Sequence, residues 1–267
     1  MTVSKVLLYP SAKGAIDENN IKEVEAVLES NDIQFERYSE YGNGDYEAVI
    51  ALGGDGTMLR ASRLAQEKNV PIMSINFGTL GYMSGLENSE LYMLSALKSG
   101  FSTEKRMLID ISVERNGKRI AESVALNEAV ISRRADGEIA AIELRSDGAT
   151  VCDYRADGVI IATPTGSSAY AMSAGGPIID TKLDAICVCP ICPHSLSARA
   201  MVFSPNSILE AIDRNRSEGN NILLSDGRQI CELNNGDIVR VARSENVLEL
   251  IKLKKDAFYE ILYKKMS

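Results

Sequence analysis

Short apolar runs and helical repeats alternate along the first hundred residues. Four apolar runs have the length and composition of strands; they are 3–9, 33–38, 46–52 and 70–76. Three segments place apolar residues at helical spacing, namely 21–28, 58–65 and 89–99. This alternation predicts a Rossmann-like α/β domain with a parallel sheet and helices on both faces. In such a domain, ligands bind beyond the carboxyl ends of the strands.

After residue 100 helical spacing becomes scarce and turn dipeptides become frequent. Asn116–Gly117 predicts a hairpin, and 168–174 is the one segment with helical character. Strand-like runs occur at 107–114, 159–162, 186–188, 222–224, 238–241 and 247–251. The pattern predicts a mostly-β, β-sandwich-like second domain. The predicted organisation is an α/β domain at 1–102, a β-rich domain at 103–254, and a C-terminal segment at 255–267 that packs back on the first domain.

The composition of the chain argues against a nucleic-acid-binding, membrane-spanning or secreted protein. The chain has 267 residues, of which 45% are hydrophobic, and a net charge of -8. The negative charge argues against nucleic acid and anionic membranes as partners. No apolar run reaches the roughly 20 residues that span a bilayer, and the N-terminus lacks the layout of a signal peptide. Five cysteines, an odd number, favour a reducing, cytoplasmic location.

The stretch Gly53-Gly54-Asp55-Gly56-Thr57 lies between an apolar run and a helical repeat. Glycines allow the main chain to approach a ligand closely, and the start of a helix suits phosphate. A carboxylate among such glycines is useful if it holds Mg²⁺ or accepts a proton from an attacking hydroxyl. The alternative is a tight turn in which Asp55 caps the helix.

Two polar stretches of the second half are further candidates. Asn127–Glu128 offers an amide and a carboxylate for the hydroxyl or amide groups of a ligand, and a solvated turn is the alternative. Residues 163–170, Thr-Pro-Thr-Gly-Ser-Ser-Ala-Tyr, are rich in small hydroxyl donors that suit ribose and phosphate. An ordinary polar connection is the alternative there, and Gly175-Gly176-Pro177 is more typical of a plain turn.

Four possible metal ligands lie within eight residues, Cys187, Cys189, Cys192 and His194. Cys187 and Cys189 fall on the same face of a strand-like run, and no second Cys/His pair completes a zinc site. We therefore expect buried, apolar thiols rather than a metal site. His194 is the single histidine, so catalysis by a pair of histidines within one chain is excluded.

Taken together, these motifs resemble those of the NAD kinases, compact bacterial members in particular. The resemblance covers about residues 45–180 and rests on the glycine stretch, Asn127–Glu128, and the run from Asp157 through Tyr170 to Gly175–Gly176. The glycine motif is shared with diacylglycerol and sphingoid-lipid kinases and, loosely, with phosphofructokinases. Asn-Glu and the Thr/Ser loop are specific to NAD kinases. Tyr82 stands where phenylalanine is commoner, and the resemblance is not resolved residue by residue after Asp180.

The resemblance implies transfer of the ATP γ-phosphoryl group to the 2′-hydroxyl of the adenosine ribose of NAD, at a site between the two domains. Asp55 would be the general base. The residues implied near the phosphates are Gly53, Gly54, Gly56, Thr57 and Arg60. For Arg60 a solvated position on the helix surface is the alternative. The residues implied for NAD are Asp55, Gly56, Asn127, Glu128, Arg155, Asp157, Thr165, Ser168, Ala169, Tyr170, Ala171, Met172 and Ser173.

The family also implies Mg²⁺ or another divalent cation carried by ATP, and a homodimer or homotetramer. ATP is the expected donor, with polyphosphate as an open alternative. Two other functions are compatible with the glycine motif. A lipid kinase would need a large apolar pocket, which the polar Thr/Ser loop argues against. A nucleotide-binding sensor without turnover is disfavoured by the intact Asp55.

Overall fold

The computed structural model describes residues 1–11, 16–40, 44–78, 81–83, 85–254 and 258–266. These residues form two compact units. The first unit comprises Met1–Lys105 and Leu248–Ser267, and the second comprises Arg106–Val247. The sequence predicts the limits of the β-rich domain at 103 and 254, and the second unit extends from Arg106 to Val247.

The first unit alternates strands and helices. In chain order its elements are β1 (Lys5–Pro10), α1 (Glu18–Ser30), β2 (Gln34–Arg37), β3 (Ala48–Leu52), α2 (Asp55–Lys68), β4 (Ile72–Asn76), β5 (Leu86–Glu87), a 3₁₀ helix (Asn88–Ser95) and α3 (Ala96–Ser99). The strands pair in the order β2-β1-β3-β4, and every pair is parallel. The predicted parallel α/β domain is confirmed.

Local signals in the sequence set the ends of the helices in this unit. Asp17 caps α1, because its Oδ1 accepts a hydrogen bond of 3.0 Å from the backbone N–H of Asn19. Asn69 ends α2 in the left-handed conformation, with φ of 52°. Both helices bury one apolar face, α1 through Ile21, Val24 and Leu28. The core behind the sheet includes Leu8, Leu28, Ile50, Leu52, Ile75 and Leu94.

One predicted helix has a different geometry. The segment predicted as a helix at 89–99 is a 3₁₀ helix over Asn88–Ser95 followed by a single α-helical turn, α3. Leu91, Leu94 and Leu97 recur every third residue and are all buried. A repeat of three matches the 3.0 residues per turn of a 3₁₀ helix, which puts these side chains on one line. The helix is thus found where it was predicted, and most of it is a 3₁₀ helix.

The second unit is built from antiparallel strands. Its elements are β6 (Ser102–Arg115), β7 (Lys118–Ala125), β8 (Glu128–Arg133), β9 (Ala140–Ser146), β10 (Ala149–Ala156), β11 (Gly158–Ala162), a 3₁₀ turn (Gly166–Ser168), α4 (Tyr170–Ser173), β12 (Ile186–Ile191), β13 (Met201–Phe203), β14 (Leu209–Asp213), β15 (Asn221–Ser225), β16 (Arg228–Leu233) and β17 (Ile238–Lys252). A six-stranded sheet has the order β13-β12-β11-β8-β15-β16.

The other strands of this unit form a second layer. They run in the order β10-β9-β14-β17, and β6 pairs with β7 and β17. Alternate residues of both layers, such as Ile109, Ile111, Val159 and Ile161, share one apolar core. The period of two follows from side chains that point to opposite faces of a strand. The β-sandwich-like prediction is therefore confirmed, with the α4 segment covering the other face of β8, β11 and β12.

Turn residues predicted the hairpins better than they predicted the lengths of the strands. Asn116–Gly117 joins β6 and β7, with φ of 52° and 72°. The runs at 238–241 and 247–251 belong to one continuous strand, β17, so the predicted break between them was wrong. The helix predicted at 168–174 is interrupted at Ala169, whose φ of -104° and ψ of -124° are not helical.

The last described element is α5 (Phe258–Met266), in the first unit. Phe258 and Ile261 are buried, and the Lys265 ammonium lies 4.5 Å from the ring centroid of Tyr82. Within the described residues, no helix is both long enough and apolar enough to cross a lipid bilayer. Parts of the predicted loops at 41–45 and 78–82 (residues 41–43, 79 and 80) lie outside the described residues.

Candidate functional site

The glycine stretch is a strand-to-helix turn, as its sequence predicts. β3 ends at Leu52, and the Gly53 N–H donates to the carbonyl of Ile75 on the neighbouring strand, at 2.8 Å. Gly53 has φ of 147°, and a Cβ there would collide with the Thr57 side chain. Gly54 is the N-cap of α2, with no side-chain cap. The first backbone N–H groups of a 14-residue helix therefore begin at this turn.

A pocket of about 380 Å³ opens at this turn. Its lining is Ser11, Ile16, Gly53, Gly54, Gly56, Thr57, Arg60, Asn76, Phe77 and Gly78. Arg60 donates to the Thr57 hydroxyl over 3.3 Å, and the Oγ atom of Ser11 is buried without a hydrogen-bond partner in the described part of the chain. A guanidinium, hydroxyl groups and the start of a helix make the pocket suited to an anion.

Ser11 and Asn76 also lie in this pocket, although neither belongs to one of the sequence motifs. Both lie at the carboxyl ends of strands, Ser11 directly after β1 and Asn76 at the end of β4. These strands flank β3 on its two sides. The rule that ligands bind beyond the carboxyl ends of parallel strands could have found them.

Asp55 is the first residue of α2, and its carboxylate is held by a distant loop. Its Oδ2 accepts from the N–H of Tyr82 at 2.8 Å, and its Oδ1 accepts from the N–H of Met83 at 3.0 Å. A side chain on Gly81 would collide with the carboxylate. Each carboxylate oxygen has two lone pairs, so with one donor each among the described residues, both can accept another. The loop fixes Asp55 without using up its capacity to accept a proton.

Asn127 and Glu128 are buried in the second unit, at the start of β8. Each is only 7% exposed. The Oδ1 atom of Asn127 and the Oε2 atom of Glu128 are buried without hydrogen-bond partners among the described residues. Leaving such atoms buried and unpaired is costly, so each calls for a partner such as ordered water, an ion or a ligand. The solvated turn considered as an alternative for this pair does not exist.

Burial changes the protonation of Glu128. The loss of solvent around the carboxyl group, assisted by the nearby Asp226 carboxylate, raises the pKa of Glu128 to about 8. The side chain is therefore mostly a neutral acid at pH 7, and it can donate a hydrogen bond as well as accept one.

The hydroxyl-rich loop uses several of its side chains to hold itself together. The Thr163 hydroxyl donates to the Leu126 carbonyl, at 2.5 Å. The Ser167 hydroxyl donates to the Pro164 carbonyl and accepts from the N–H of Ile179. Ser168 likewise donates to the Thr165 carbonyl at 3.2 Å. Much of the hydroxyl content that suggested ligand binding is thus explained by loop structure.

The other residues predicted for this loop differ in accessibility. Thr165 is buried, Ala169 and Met172 are half-buried, and Ser173 is exposed. Tyr170 is 45% exposed, which leaves its ring accessible to a partner. Ala171 is fully buried in the apolar cluster beneath α4. The loop therefore presents Tyr170 and Ser173 outward and anchors itself through Ala171.

Arg155 and Asp157 lie where β10 passes into β11. Asp157 accepts from the Nε of Arg133 at 2.6 Å, so Arg133 holds this carboxylate. Arg133 belongs to none of the sequence motifs, because it lies 24 positions before Asp157. Arg155 is exposed, and its carbonyl accepts from the N–H of His194 at 2.9 Å.

The cysteine cluster divides into buried and exposed members. Cys187 and Cys189 lie on β12, fully buried, with their Sγ atoms 3.5 Å apart. The prediction of buried thiols is confirmed for these two and wrong for Cys192, which is exposed because β12 ends at Ile191. Within the described residues, no three His, Cys, Asp or Glu side chains converge as a metal site requires.

Comparisons with known proteins agree with this arrangement. A family model for the ATP-NAD kinase N-terminal domain matches residues 17–97, and one for the ATP-NAD kinase C-terminal domain matches residues 126–253. The NAD kinase of Symbiobacterium thermophilum is 37% identical over 264 residues, which are 98% of this chain and 88% of the relative. The chain belongs to the NAD kinase family. The NAD kinase of Caldanaerobacter subterraneus is 36% identical over 242 residues, 88% of this chain and 84% of the relative.

Solved structures show the same fold. A crystal structure of an Archaeoglobus fulgidus NAD kinase in complex with ATP aligns with a TM-score of 0.77 and 25% identity, covering 98% of each chain. Yeast NADH kinase complexed with NADH aligns with a TM-score of 0.89 at 20% identity, covering 99% of this chain and 88% of the yeast chain. At that identity the yeast protein supports the NAD kinase fold alone.

The raised pKa of Glu128 predicts how stability depends on pH. The folded state keeps a proton that the unfolded state releases above its ordinary pKa of 4.5. The free energy of unfolding should therefore fall as pH rises from about 4.5 to about 8, and then level off. Glu128→Gln removes this dependence. The free energy of unfolding of the variant, relative to that of the wild type, should therefore rise by up to about 5 kcal/mol across that range.

Urea unfolding followed by circular dichroism between pH 5 and 9 measures this difference. Glu245→Gln is the matched control, because it makes the same substitution at an exposed position of the same unit. Parallel pH curves for the wild type and Glu128→Gln would contradict the raised pKa.

Proposed function

We propose that the protein is an ATP-dependent NAD kinase. It transfers the γ-phosphoryl group of ATP to the 2′-hydroxyl of the adenosine ribose of NAD and so gives NADP. The observation that carries the proposal is the buried Asn127–Glu128 pair with its unpartnered oxygens, in a chain of the NAD kinase family. Polar atoms that are buried without partners are suited to a specific polar ligand, and a dinucleotide supplies such groups.

We propose that the pocket at the glycine turn holds the phosphates of ATP. Gly53, Gly54 and Gly56 would let the main chain approach the phosphates, and Thr57 and Arg60 would donate to phosphate oxygens. Ser11 and Asn76, which line the same pocket, add further polar groups. Catalysis of phosphoryl transfer relies mainly on positioning and on the neutralisation of charge, which these groups supply.

Asp55 is proposed as the general base. Its carboxylate takes the proton of the ribose 2′-hydroxyl as that oxygen forms a bond to the γ-phosphorus. The bond between the γ-phosphorus and the bridging oxygen breaks, and ADP leaves. The hydrogen bonds from Tyr82 and Met83 orient the carboxylate for this step, and each of these bonds uses only one of the two lone pairs of its oxygen.

The second unit is proposed to bind NAD. Asn127 and Glu128 would bind a ribose or the adenine, and Arg155 and Asp157 would line the same pocket, with Asp157 on the nicotinamide side. The segment Ser168–Ser173 would hold the adenine end, where Tyr170 offers an accessible ring for stacking. Thr165 is also proposed to contact NAD.

A divalent cation such as Mg²⁺ fits this chain as a companion of ATP. Magnesium is usually held by one or two carboxylates together with substrate phosphates and water. Within the described residues, no cluster of three acidic, histidine or cysteine side chains forms a protein-bound metal site, and Asp55 is a carboxylate at the glycine turn. When bound, the cation would neutralise charge on the transferred phosphoryl group.

We further propose a cytoplasmic homodimer or homotetramer. All five cysteines are free, which agrees with a reducing compartment. ATP is the proposed donor, and replacing it by polyphosphate in the assay below tests the alternative.

A coupled assay tests the proposed reaction. The purified protein is mixed with Mg-ATP and NAD, and the product is detected with an NADP-specific dehydrogenase. The expected result is a signal that requires both the cation and NAD. If no NADP is detected but NAD still binds in a calorimeter, the protein is a nucleotide-binding sensor or uses another phosphate donor. If no NADP is detected and NAD does not bind, a lipid kinase is favoured.

Asp55→Asn should keep the fold and the affinity for NAD and lose at least about 10²-fold in turnover, the usual scale for a removed acid–base group. Turnover is measured in the coupled assay, and affinity in a calorimeter. Asp45→Asn is the control, because Asp45 is an exposed carboxylate of the same unit. A near-normal rate for Asp55→Asn would end the general-base assignment.

Asn127→Ala should raise the KM for NAD more than the KM for ATP, because the amide is proposed to contact the dinucleotide alone. Steady-state kinetics with each substrate varied in turn measures both constants. Asn246→Ala removes an exposed amide from the same unit and serves as the control. Equal effects on the two constants would argue against a role in dinucleotide binding.

A further inference from the structure

The turn between β15 and β16 contains a carboxylate that holds a distant segment of the main chain. Asp226 Oδ2 accepts from the N–H of Leu126 at 2.9 Å. Its Oδ1 accepts from the N–H of Asn127 at 2.8 Å and from that of Glu128 at 3.1 Å. The N–H of Asp226 in turn donates to the Glu128 carbonyl at 3.0 Å. One residue thus makes four hydrogen bonds to three consecutive residues that lie about 100 positions earlier.

Thr163 holds the same segment through its carbonyl groups. The hydroxyl of Thr163 donates to the Leu126 carbonyl at 2.5 Å, and its backbone N–H donates to the Asn127 carbonyl at 2.8 Å. The backbone polar groups of the segment are therefore satisfied by Asp226 and Thr163. The Asn127 and Glu128 side chains are not needed to hold the turn, which agrees with their unpartnered oxygens.

The chemistry of the contact calls for an acid at position 226. Three N–H groups converge on the two oxygens of one side chain, and an ionised carboxylate has acceptors only. An amide would place an NH₂ group against one of these N–H groups and leave it without an acceptor. The charge also acts on Glu128, whose cross-strand partner on β11 is the uncharged Ala162.

We propose that Asp226 is a positioning residue for the NAD site: it holds the backbone of residues 126–128 so that the Asn127 and Glu128 side chains are presented to the dinucleotide. This inference rests on the proposed function. Asp226 acts through Asn127 and Glu128.

The chain offers a closely matched pair of variants. Asp226–Gly227 and Asp147–Gly148 are both hairpin turns of the second unit, with φ of 48° and 74° in the first and 51° and 82° in the second. Asn116–Gly117 has the same geometry, with φ of 52° and 72°, so asparagine is compatible with this backbone. Asp147 also accepts a backbone N–H, that of Ile208 at 2.9 Å, away from Asn127 and Glu128. Asp226→Asn and Asp147→Asn therefore make the same chemical change in equivalent turns.

Kinetics separate the two variants. Asp226→Asn should raise the KM for NAD by about tenfold or more, the effect of losing one charge-assisted hydrogen bond. Its KM for ATP should change less than about twofold, and Asp147→Asn should resemble the wild type in both constants. A wild-type KM for NAD in Asp226→Asn would overturn the proposal.

The pH dependence of NAD binding gives a readout that a purely structural role would not move. The wild-type affinity should change with a midpoint near pH 8, the pKa of Glu128. Removing the Asp226 charge stabilises the ionised form of Glu128, so the midpoint should move to lower pH in Asp226→Asn and stay in place in Asp147→Asn. Calorimetric titration with NAD between pH 6 and 9 measures it, and an unmoved midpoint would contradict the proposal.

Hydrogen exchange on the wild type keeps the test valid even if Asp226→Asn does not fold. The amides of residues 126–128 should be protected before NAD is added, and NAD should change this protection little. Fast exchange that slows only when NAD binds would overturn the proposal. A wild type that makes no NADP would reject the proposed function. A wild type that makes NADP, together with an unaffected Asp226→Asn variant, would reject the positioning role alone.

Discussion

The hydrogen bond from a backbone N–H to a distant carboxylate is the interaction on which both candidate sites depend. Asp55 accepts N–H groups from Tyr82 and Met83, and Asp226 accepts them from Leu126, Asn127 and Glu128. Such bonds are stronger than those between neutral groups, and breaking one leaves a polar group unpaired. The two carboxylates differ in what they position. In the first case the bonds hold the Asp55 carboxylate itself. In the second case they hold the backbone of residues 126–128.

This interaction also explains why glycine is needed close to the polar groups. A side chain on Gly81 would collide with the Asp55 carboxylate, and one on Gly166 would collide with the Asn127 backbone. Both glycines let a loop come close enough for the main chain to be held there. The glycines of these loops therefore serve the close packing of the backbone as well as the contact with a ligand.

Local patterns in the sequence were sufficient for much of the fold. Apolar runs and helical spacing indicated the parallel sheet of the first unit, and Asn116–Gly117 indicated a hairpin. The helix at Asn88–Ser95 was predicted, but its 3₁₀ geometry was not, because a leucine every third residue is also compatible with an α-helix. The continuity of β17 through Arg243–Glu245 was missed because a polar stretch resembles a turn when its pairing is unknown.

The site could be predicted only as far as its motifs are contiguous. Asp55, Asn127 and Glu128 stand in short motifs, whereas Asp226 and Arg133 act on residues far along the chain. Composition also could not say which hydroxyls of the 163–170 loop face inward, as Thr163 and Ser167 do. Contacts over 98 residues, like that between Asp226 and Glu128, exist only once the strands have paired.

The closeness of two carboxyl groups gives the Asn127–Glu128 pair its chemical character. Asp226 accepts N–H groups on both of its carboxylate oxygens, while Glu128 is buried with an unpartnered oxygen among the described residues, and burial raises the pKa of Glu128. Below about pH 8 the pair then offers the acid proton of Glu128 as a donor and the amide oxygen of Asn127 as an acceptor. A turn built to satisfy its own backbone thus leaves both a donor and an acceptor for a ligand.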